Sequence, residues 1–329
     1  MPSPVRSLAY AHAGDPPPHS RSGMPTQIES LGRYLMTPRL GLLLLPPDDL
    51  IRADCFEEIV AIADECGAES LWTAEHVVVA EESVSRYPYP GVDRLDPSLP
   101  MPDPLEVLAF IAGISARVLL GTAVVIGALH SPAILAKRAA TIDRLSGERL
   151  ILGLGVGWQS EEYAAVGVPY EGRGARLEEC IEAMRELWSS SPASYRGKDF
   201  VLDNVHSVPR PLRRIPIHLG GNSDRVLRRV ARLADGWYPI SLSPEEFGNR
   251  VDLLRRYVQQ ADRDPEEVEI TAYPASYRGA EGQEAEIVRR YVDRGASRII
   301  FSPNLNNLRK RGALRAEINE ICDKVMNRL

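Results

Sequence analysis

Residues 118–153 read VLLGTAVVIGALHSPAILAKRAATIDRLSGERLILG, and the way this stretch is punctuated decides the fold. Val118-Leu119-Leu120 through Val124-Val125-Ile126 is an apolar, β-branched run of the kind that suits a strand buried on both faces. Ser131-Pro132 pairs an N-cap residue with a proline whose fixed φ fits a first helical turn, so a helix runs from there to about Leu145. Leu150-Ile151-Leu152-Gly153 is then a second buried strand. Two such strands joined by a helix make a parallel βαβ unit.

The same alternation extends in both directions. Upstream, Leu40 to Leu45 is a strand closed by Pro46-Pro47, and Ala53, Phe56, Ile59, Val60 and Ala63 mark one face of a helix that stops at Gly67. Glu69-Ser70-Leu71-Trp72-Thr73 follows as a strand. Downstream, Leu177, Ile181, Met184 and Trp188 line a helix, and Ile215 to Leu219 is a strand followed by a helix carrying Val226, Val230 and Leu233. Gly236 to Ile240 precedes a helix opening near Ser243-Pro244. Val268 to Ile270 and Ser297 to Phe301 are the last strands, separated by a helix bearing Ile287, Val288 and Tyr291. Eight strand-then-helix units predict an α/β fold, a closed (β/α)8 TIM barrel. A doubly wound open sheet is the competing topology, and the count of eight disfavours it. Insertions are expected after strand two, at about residues 77–103, and between strands four and five, at about residues 190–213.

Residues 1–36 scatter prolines among small polar residues without apolar periodicity. They read as a disordered N-terminal extension, or as a start placed upstream of Met24 or Met36, with residues 37–329 forming one barrel domain. Of the 329 residues, 44% are hydrophobic and 26% charged, an ordinary globular balance. The net charge of −6, with no basic block, argues against nucleic acid or an anionic membrane as partner. No apolar run reaches the roughly 18 residues of a membrane span. Four dispersed cysteines without a C-x-x-C pair suit a reducing compartment, so a cytoplasmic protein acting on a small-molecule substrate is expected.

In a barrel of this kind the chemistry sits at the C-terminal ends of the strands. That rule selects Glu75 and His76 after strand two, Gly153-Leu154-Gly155-Val156-Gly157-Trp158 after strand four, and Gly220-Gly221-Asn222-Ser223 after strand five. His130 lies after strand three and faces the same way. The glycine run is no dinucleotide fingerprint, because Trp158 stands where its third glycine belongs. Its alternating glycines serve either close approach of backbone to a flat ligand or a tight barrel interior. Gly220 to Ser223, opening a helix, suits an anion, and capping by Asn222 or Ser223 is compatible with that. His76 is either a hydrogen-bonder and proton carrier or a structural histidine, and Glu75 either a catalytic acid or a surface carboxylate. Trp158 either walls a planar ligand or fills the core. His206 and His218 have no ligand-like spacing, so no metal site is expected. A hydrolase or aldolase would need a lysine, metal ligands or a carboxylate pair at strand ends, and no such set is present.

Taken together, several segments resemble the luciferase-like monooxygenase superfamily, and more closely its coenzyme F420-dependent oxidoreductase branch. They are Gly67 to His76, Leu120 to Val124, Ala139 to Leu150, Gly153 to Trp158 with Glu161-Glu162-Tyr163, Gly167-Val168-Pro169, and Gly220 to Ser223 through Ala234 to Trp237. The resemblance implies a barrel that holds a deazaflavin, coenzyme F420, or alternatively FMN. It implies that His76 faces the cofactor ring, that Ala123-Val124 form a non-proline cis peptide behind it, and that the backbone of Gly220, Gly221 and Asn222 contacts phosphate. Gly155, Gly157 and Trp158 complete the expected cofactor set, with His76 and Glu75 as the catalytic pair. Trp158 occupies the place where some sugar-phosphate-oxidising relatives carry a catalytic glutamate, so their proton transfer is not expected here. The resemblance also implies a homodimer packed through barrel helices. The insertion at 77–103, with Tyr87 and Tyr89, is expected to shape or cover the substrate pocket. An FMN-dependent monooxygenase and a non-catalytic flavin-binding protein are the alternatives to a deazaflavin oxidoreductase.

Overall fold

The computed structural model describes residues 39–88, 94–274 and 284–326. The expected extension over 1–36, and Tyr89, lie outside the described residues. Eight parallel strands form the barrel: β1 (Arg39–Leu43), β2 (Ser70–Thr73), β3 (Leu119–Thr122), β4 (Leu150–Leu154), β7 (Ile217–Gly220), β8 (Gly236–Tyr238), β9 (Glu269–Ala272) and β10 (Arg298–Phe301). They close in the order β1-β10-β9-β8-β7-β4-β3-β2. Two further strands, β5 (Ala193–Arg196) and β6 (Val201–Val205), pair antiparallel as a separate hairpin within the second expected insertion. The helices are α1 (Ala53–Cys66), α2 (Pro104–Ile114), α3 (Pro132–Ser146), α4 (Ser160–Val166), α5 (Arg173–Ser189), α6 (Asp224–Leu233), α7 (Pro244–Gln260), α8 (Glu284–Asp293) and α9 (Ala313–Met326). Among the described residues no helix is long and apolar enough to cross a membrane.

Local sequence accounts for the helix ends. Asp103 caps α2 by accepting the Leu105 and Glu106 N–H groups, with Pro104 in the first turn. Ser243 and Glu246 form a reciprocal capping box at the start of α7. α1 and α3 stop at Gly67 and Gly147, both in the left-handed region that glycine tolerates.

Two corrections to the sequence reading concern strands. The third strand does not run through to Ile126. It ends at Thr122, the Ala123–Val124 peptide is cis, and Val125 returns only as an isolated bridge to Leu154. The β5–β6 hairpin escaped the apolar pattern because its residues are mostly exposed and show no clean alternation.

Alternate strand residues point outward to the helices or inward to the barrel axis. Leu40 and Leu42 belong to the large outer core, whereas Leu43, Trp72, Ile151, Tyr238 and Ile300 pack inside the barrel. The indole of Trp72 is fully buried, and two glycines make room for it. A methyl group at Gly121 would stand 2.3 Å from the Trp72 ring, and one at Gly41 would stand 2.7 Å from its Nε1.

Deeper, at the N-terminal end of the strands, the barrel is polar. Arg298, with no exposed side-chain surface, donates to Glu69 at 2.6 and 2.8 Å, to Glu269 at 3.1 Å and to Thr271 at 3.1 Å. Arg39 donates to the other Glu269 oxygen at 2.8 Å. A buried guanidinium is tolerable only when its donors are filled in this way. Burial works against the Glu269 charge, but Arg298 and Arg39 hold its carboxyl down to about 2. His218 lies in the same layer, with its Nε2 3.5 Å from Glu269 Oε2 and neither ring nitrogen hydrogen-bonded. Burial, reinforced by the nearby Arg298 charge, lowers its pKa from 6.5 to about 4.

That depression has a defined sign. In the unfolded chain His218 takes up its proton near 6.5, whereas in the folded barrel it stays neutral down to about 4. The unfolded state therefore binds more protons in this window, and stability declines as pH falls through it. Above the window His218 contributes no pH dependence. Thermal melts across the window should show a steeper loss for the natural protein than for His218→Gln. Equal slopes would show that His218 is not a buried neutral imidazole.

Candidate active site

At the C-terminal mouth of the barrel, β2 runs out into Ala74, Glu75 and His76. α4 begins directly after the glycines that follow β4, with Glu161 and Glu162 in its first turn, where the helix dipole favours acids. Glu162 is completely buried. Its Oε2 lies 2.9 Å from His76 Nδ1, and its Oε1 accepts the Val77 N–H at 2.6 Å. With Nδ1–H donating to the carboxylate, Nε2 is the ring atom left for other partners, and it has none among the described residues. Trp158 meets the His76 ring edge-on at 5.9 Å between centroids and Tyr87 at 5.4 Å, while its carbonyl accepts the Tyr170 hydroxyl at 3.0 Å. Trp158 is therefore half-buried beside the imidazole and does not fill the core.

Glu75 is neither a surface carboxylate nor an open acid. It is 7% exposed; Oε2 accepts the Ile126 N–H at 2.6 Å, and both oxygens lie within 3.1 Å of His130 Nε2. With both oxygens engaged, Glu75 pins the chain that follows β3, which makes it a positioning residue. His130, expected only to face the same end, is its partner.

Glycines at and just beyond the ends of β4 and β7 accommodate that same chain. A methyl group at Gly153 would collide with the Thr122 carbonyl at 1.8 Å, and one at Gly155 would stand 2.6 Å from a Val124 methyl. One at Gly220 would stand 2.9 Å from the other Val124 methyl, and Gly157, at φ +62°, lies under Ile126. Of the two readings left open by the sequence, packing of the protein's own bulge at 123–126 is the one the geometry supports for these glycines. The half-buried residues Leu45, Ala74, Ala123, Val124, Ile240 and Tyr273 then form an apolar floor at the mouth, above the inner core.

Beyond β7, Gly221 takes φ +120°, donates its N–H to the Tyr238 carbonyl at 3.1 Å and accepts from Trp237 Nε1 at 2.8 Å. The Asn222 side chain pairs both ways with the Ile240 main chain, at 2.7 and 3.0 Å, so it clamps two loops together and does not cap the helix. Ser223 is the cap of α6. Asp224, in the first turn, pairs with Arg250. Among the described residues no three metal-ligating side chains gather.

Sequence reasoning missed Glu162 as the partner of His76. The available signal was an acidic pair opening a short helix straight after the β4 glycines, which places two carboxylates against the loop beyond β2. Gln159 accepts the Ala80 N–H at 3.3 Å. Glu161 accepts the Val84 and Ser85 amides at 2.7 and 3.3 Å and the Ser85 hydroxyl at 2.8 Å. Thus the insertion after β2 is tied down along α4.

With this geometry in view, the comparisons with known proteins become informative. Residues 35–326 match the family described as luciferase-like monooxygenase. The phthiodiolone/phenolphthiodiolone dimycocerosates ketoreductase of Mycobacterium tuberculosis is 31% identical over 231 residues, covering 67% of this chain and 59% of that protein. The structure of coenzyme F420-dependent tetrahydromethanopterin reductase from Methanopyrus kandleri superposes with a TM-score of 0.66 at 15% identity, over 88% of this chain and 98% of that one. Riboflavin lyase, solved with modified FMN and riboflavin, gives a TM-score of 0.60 at 17% identity, over 72% and 62% of the respective chains. A closed barrel with its polar constellation at the C-terminal mouth defines the class, that of the TIM-barrel proteins. Within it, the chain belongs to the luciferase-like monooxygenase family.

The hold on the insertion is testable. Burial opposes the Glu161 charge, but hydrogen bonds from its own N–H, the Ser85 hydroxyl and the Val84 and Ser85 amides bring its carboxyl down to about 2. The carboxylate grip is therefore complete above the ordinary glutamate value of 4.5 and is lost as pH falls through about 2. Glu161→Gln should speed amide hydrogen exchange at Val84 and Ser85 by about tenfold at neutral pH, since a charge-assisted bond is replaced by a weaker one. Unchanged exchange would mean that the loop is held elsewhere.

Proposed function

We propose that this protein transfers a hydride between coenzyme F420 and a small organic substrate, with His76 carrying the accompanying proton at Nε2. The observation behind this reading is the His76–Glu162 pair. A fully buried carboxylate fixes one ring nitrogen, and the other, without a partner among the described residues, stands at the mouth of an apolar-floored barrel. The donor set fits a flat redox ring. Ala74, Ala123, Val124 and Ile240 offer an apolar bed, and Asn222 with the start of α6 offers main-chain N–H groups for a phosphate, the Gly221 N–H being already held by the Tyr238 carbonyl. When bound, a deazaflavin supplies or accepts the hydride.

The chain's own residues do the rest. Glu162 holds the imidazole in one tautomer and orientation. His76 Nε2 gives a proton to a substrate oxygen that gains hydride at its carbon, or takes one in the reverse direction. A carbonyl/alcohol couple is the first substrate class to try, because the M. tuberculosis relative is named a ketoreductase. Trp158 packs edge-on against the imidazole and is itself backed by Tyr87, which restricts water there.

An FMN-dependent monooxygenase is the second reading; the same floor would serve a flavin, and the riboflavin lyase neighbour was solved with modified FMN. Fluorescence titration of the purified protein with each cofactor separates the two. Micromolar or tighter F420 binding with weak FMN binding is expected; tight FMN binding with oxygen consumption and no F420 binding would overturn the F420 reading. His76→Ala should lower turnover by at least about 100-fold while cofactor affinity changes little. Glu162→Gln should cost about tenfold and move the pH profile. Cofactor binding without turnover by the natural protein, across carbonyl and alcohol substrates, would point to a non-catalytic flavin-binding protein.

A further inference from the structure

We propose that the cavity at the rim of the barrel mouth, between the ends of β1 and β10, is a substrate subsite that binds a vicinal diol through Glu317 and Asn304. Its volume is about 490 Å³, within the roughly 300–1,000 Å³ of small-molecule sites. Leu45, beyond β1, and Leu305, beyond β10, form its apolar lining, and Asn304, Asn306 and Glu317 its polar lining. Leu45 also belongs to the apolar floor of the mouth, so the cavity adjoins the candidate active site through a shared wall residue.

The polar wall is held in place by the protein itself. Glu317, on α9, accepts the Asn304 N–H at 2.8 Å through Oε1 and Asn307 Nδ2 at 2.7 Å through Oε2. Asn304 Oδ1 accepts the Asn306 N–H at 3.2 Å and Asn306 Nδ2 at 3.1 Å, which fixes the way the Asn304 amide faces. Arg309 pairs with Asp49, so its charge is spent and the turn is tied to the segment after β1. Among the described residues no basic side chain pairs with Glu317. The groups left over define the ligand. Each Glu317 oxygen has room for a second hydrogen bond, and Asn304 Nδ2 has no partner among the described residues. Two neighbouring hydroxyls, each able to donate and to accept, answer both the carboxylate and the amide. A carboxylate or phosphate would be repelled by Glu317, and an ammonium group would leave the amide donors unanswered.

Two kinds of molecule at the mouth carry such a diol, the substrate and the polyol chain of a flavin-type cofactor. Round the closed barrel, β7 stands four strands from β1 in either direction. On the reading proposed above, the cofactor phosphate lies at the start of α6, beyond β7, so the chain that bears it runs away from this cavity. His76, by contrast, follows β2, the direct neighbour of β1. A ketone or secondary alcohol with its reacting carbon beside His76 therefore reaches the cavity across Leu45. The assignment to substrate rests on that reading, and it narrows the substrate class to carbonyl or alcohol compounds that also carry a diol.

The test is saturation-transfer-difference NMR on the full-length protein without cofactor, titrated separately with cis-1,2-cyclohexanediol and with cyclohexanol. The diol should bind at least about fivefold more tightly than the mono-alcohol, the worth of one added hydrogen bond. Asn304→Asp keeps the oxygen that accepts from Asn306 but removes the amide donor, and it should abolish the preference while the thermal melt stays unchanged. Glu317→Gln, which removes the charge and one acceptor, should abolish it as well. Equal binding of the two probes by the natural protein, or a preference that survives in either variant, would overturn the proposal. Saturation with whichever cofactor the protein binds should leave the diol signal in place. Its loss would give the cavity to the cofactor's own polyol chain and sink the substrate subsite. Because the first titrations need neither cofactor nor turnover, a failure of the hydride-transfer reading would leave their outcome standing.

Discussion

The space occupied by Val124 is the constraint on which the site depends. Its two methyl groups stand where Gly155 and Gly220 have no side chain, and the Thr122 carbonyl just before it lies against Gly153. Three glycines on two neighbouring strands are therefore committed to one bulge. Because close-packed interiors give little way, substituting any of them would displace the bulge. The bulge in turn supplies the Ile126 N–H that Glu75 accepts and two of the residues in the apolar floor. Floor, bulge and the end of β2 thus form one connected unit.

The two histidine–carboxylate pairs at the mouth have different tasks, and burial distinguishes them. The Glu75–His130 pair leaves no carboxylate oxygen open and serves to fix backbone. The Glu162–His76 pair fixes the imidazole through one nitrogen and leaves the other without a partner among the described residues. The same chemical pairing produces a brace in one place and an oriented imidazole with an unengaged nitrogen in the other. The difference lies in which partner has an atom to spare.

The barrel was legible because each of its strands is a short apolar run followed by a helical period, and all eight were placed from that signal. The edges of strand three were not, since Ala123 to Ile126 look as strand-like as the residues before them. Only the collision they would have with their neighbours takes them out of the sheet. Likewise His76 could be selected by its position after a strand, but Glu162 lies 86 residues away along the chain. A partner at that separation follows from closure of the barrel, and no local pattern encodes it. Asn222 shows the same limit: beside a helix start it reads as a cap, yet in space it holds the loop after β8.

Glu161 and Glu162 are consecutive residues of one helical turn, one gripping the segment at Val84 and Ser85, the other gripping His76. α4 therefore works as a short lever with two loads. A molecule that presses on the segment beyond β2 also applies torque to the imidazole, through a single rigid peptide unit. Displacement of the pocket wall and orientation of the imidazole are in this way mechanically one variable, so a molecule that shifts one also turns the other.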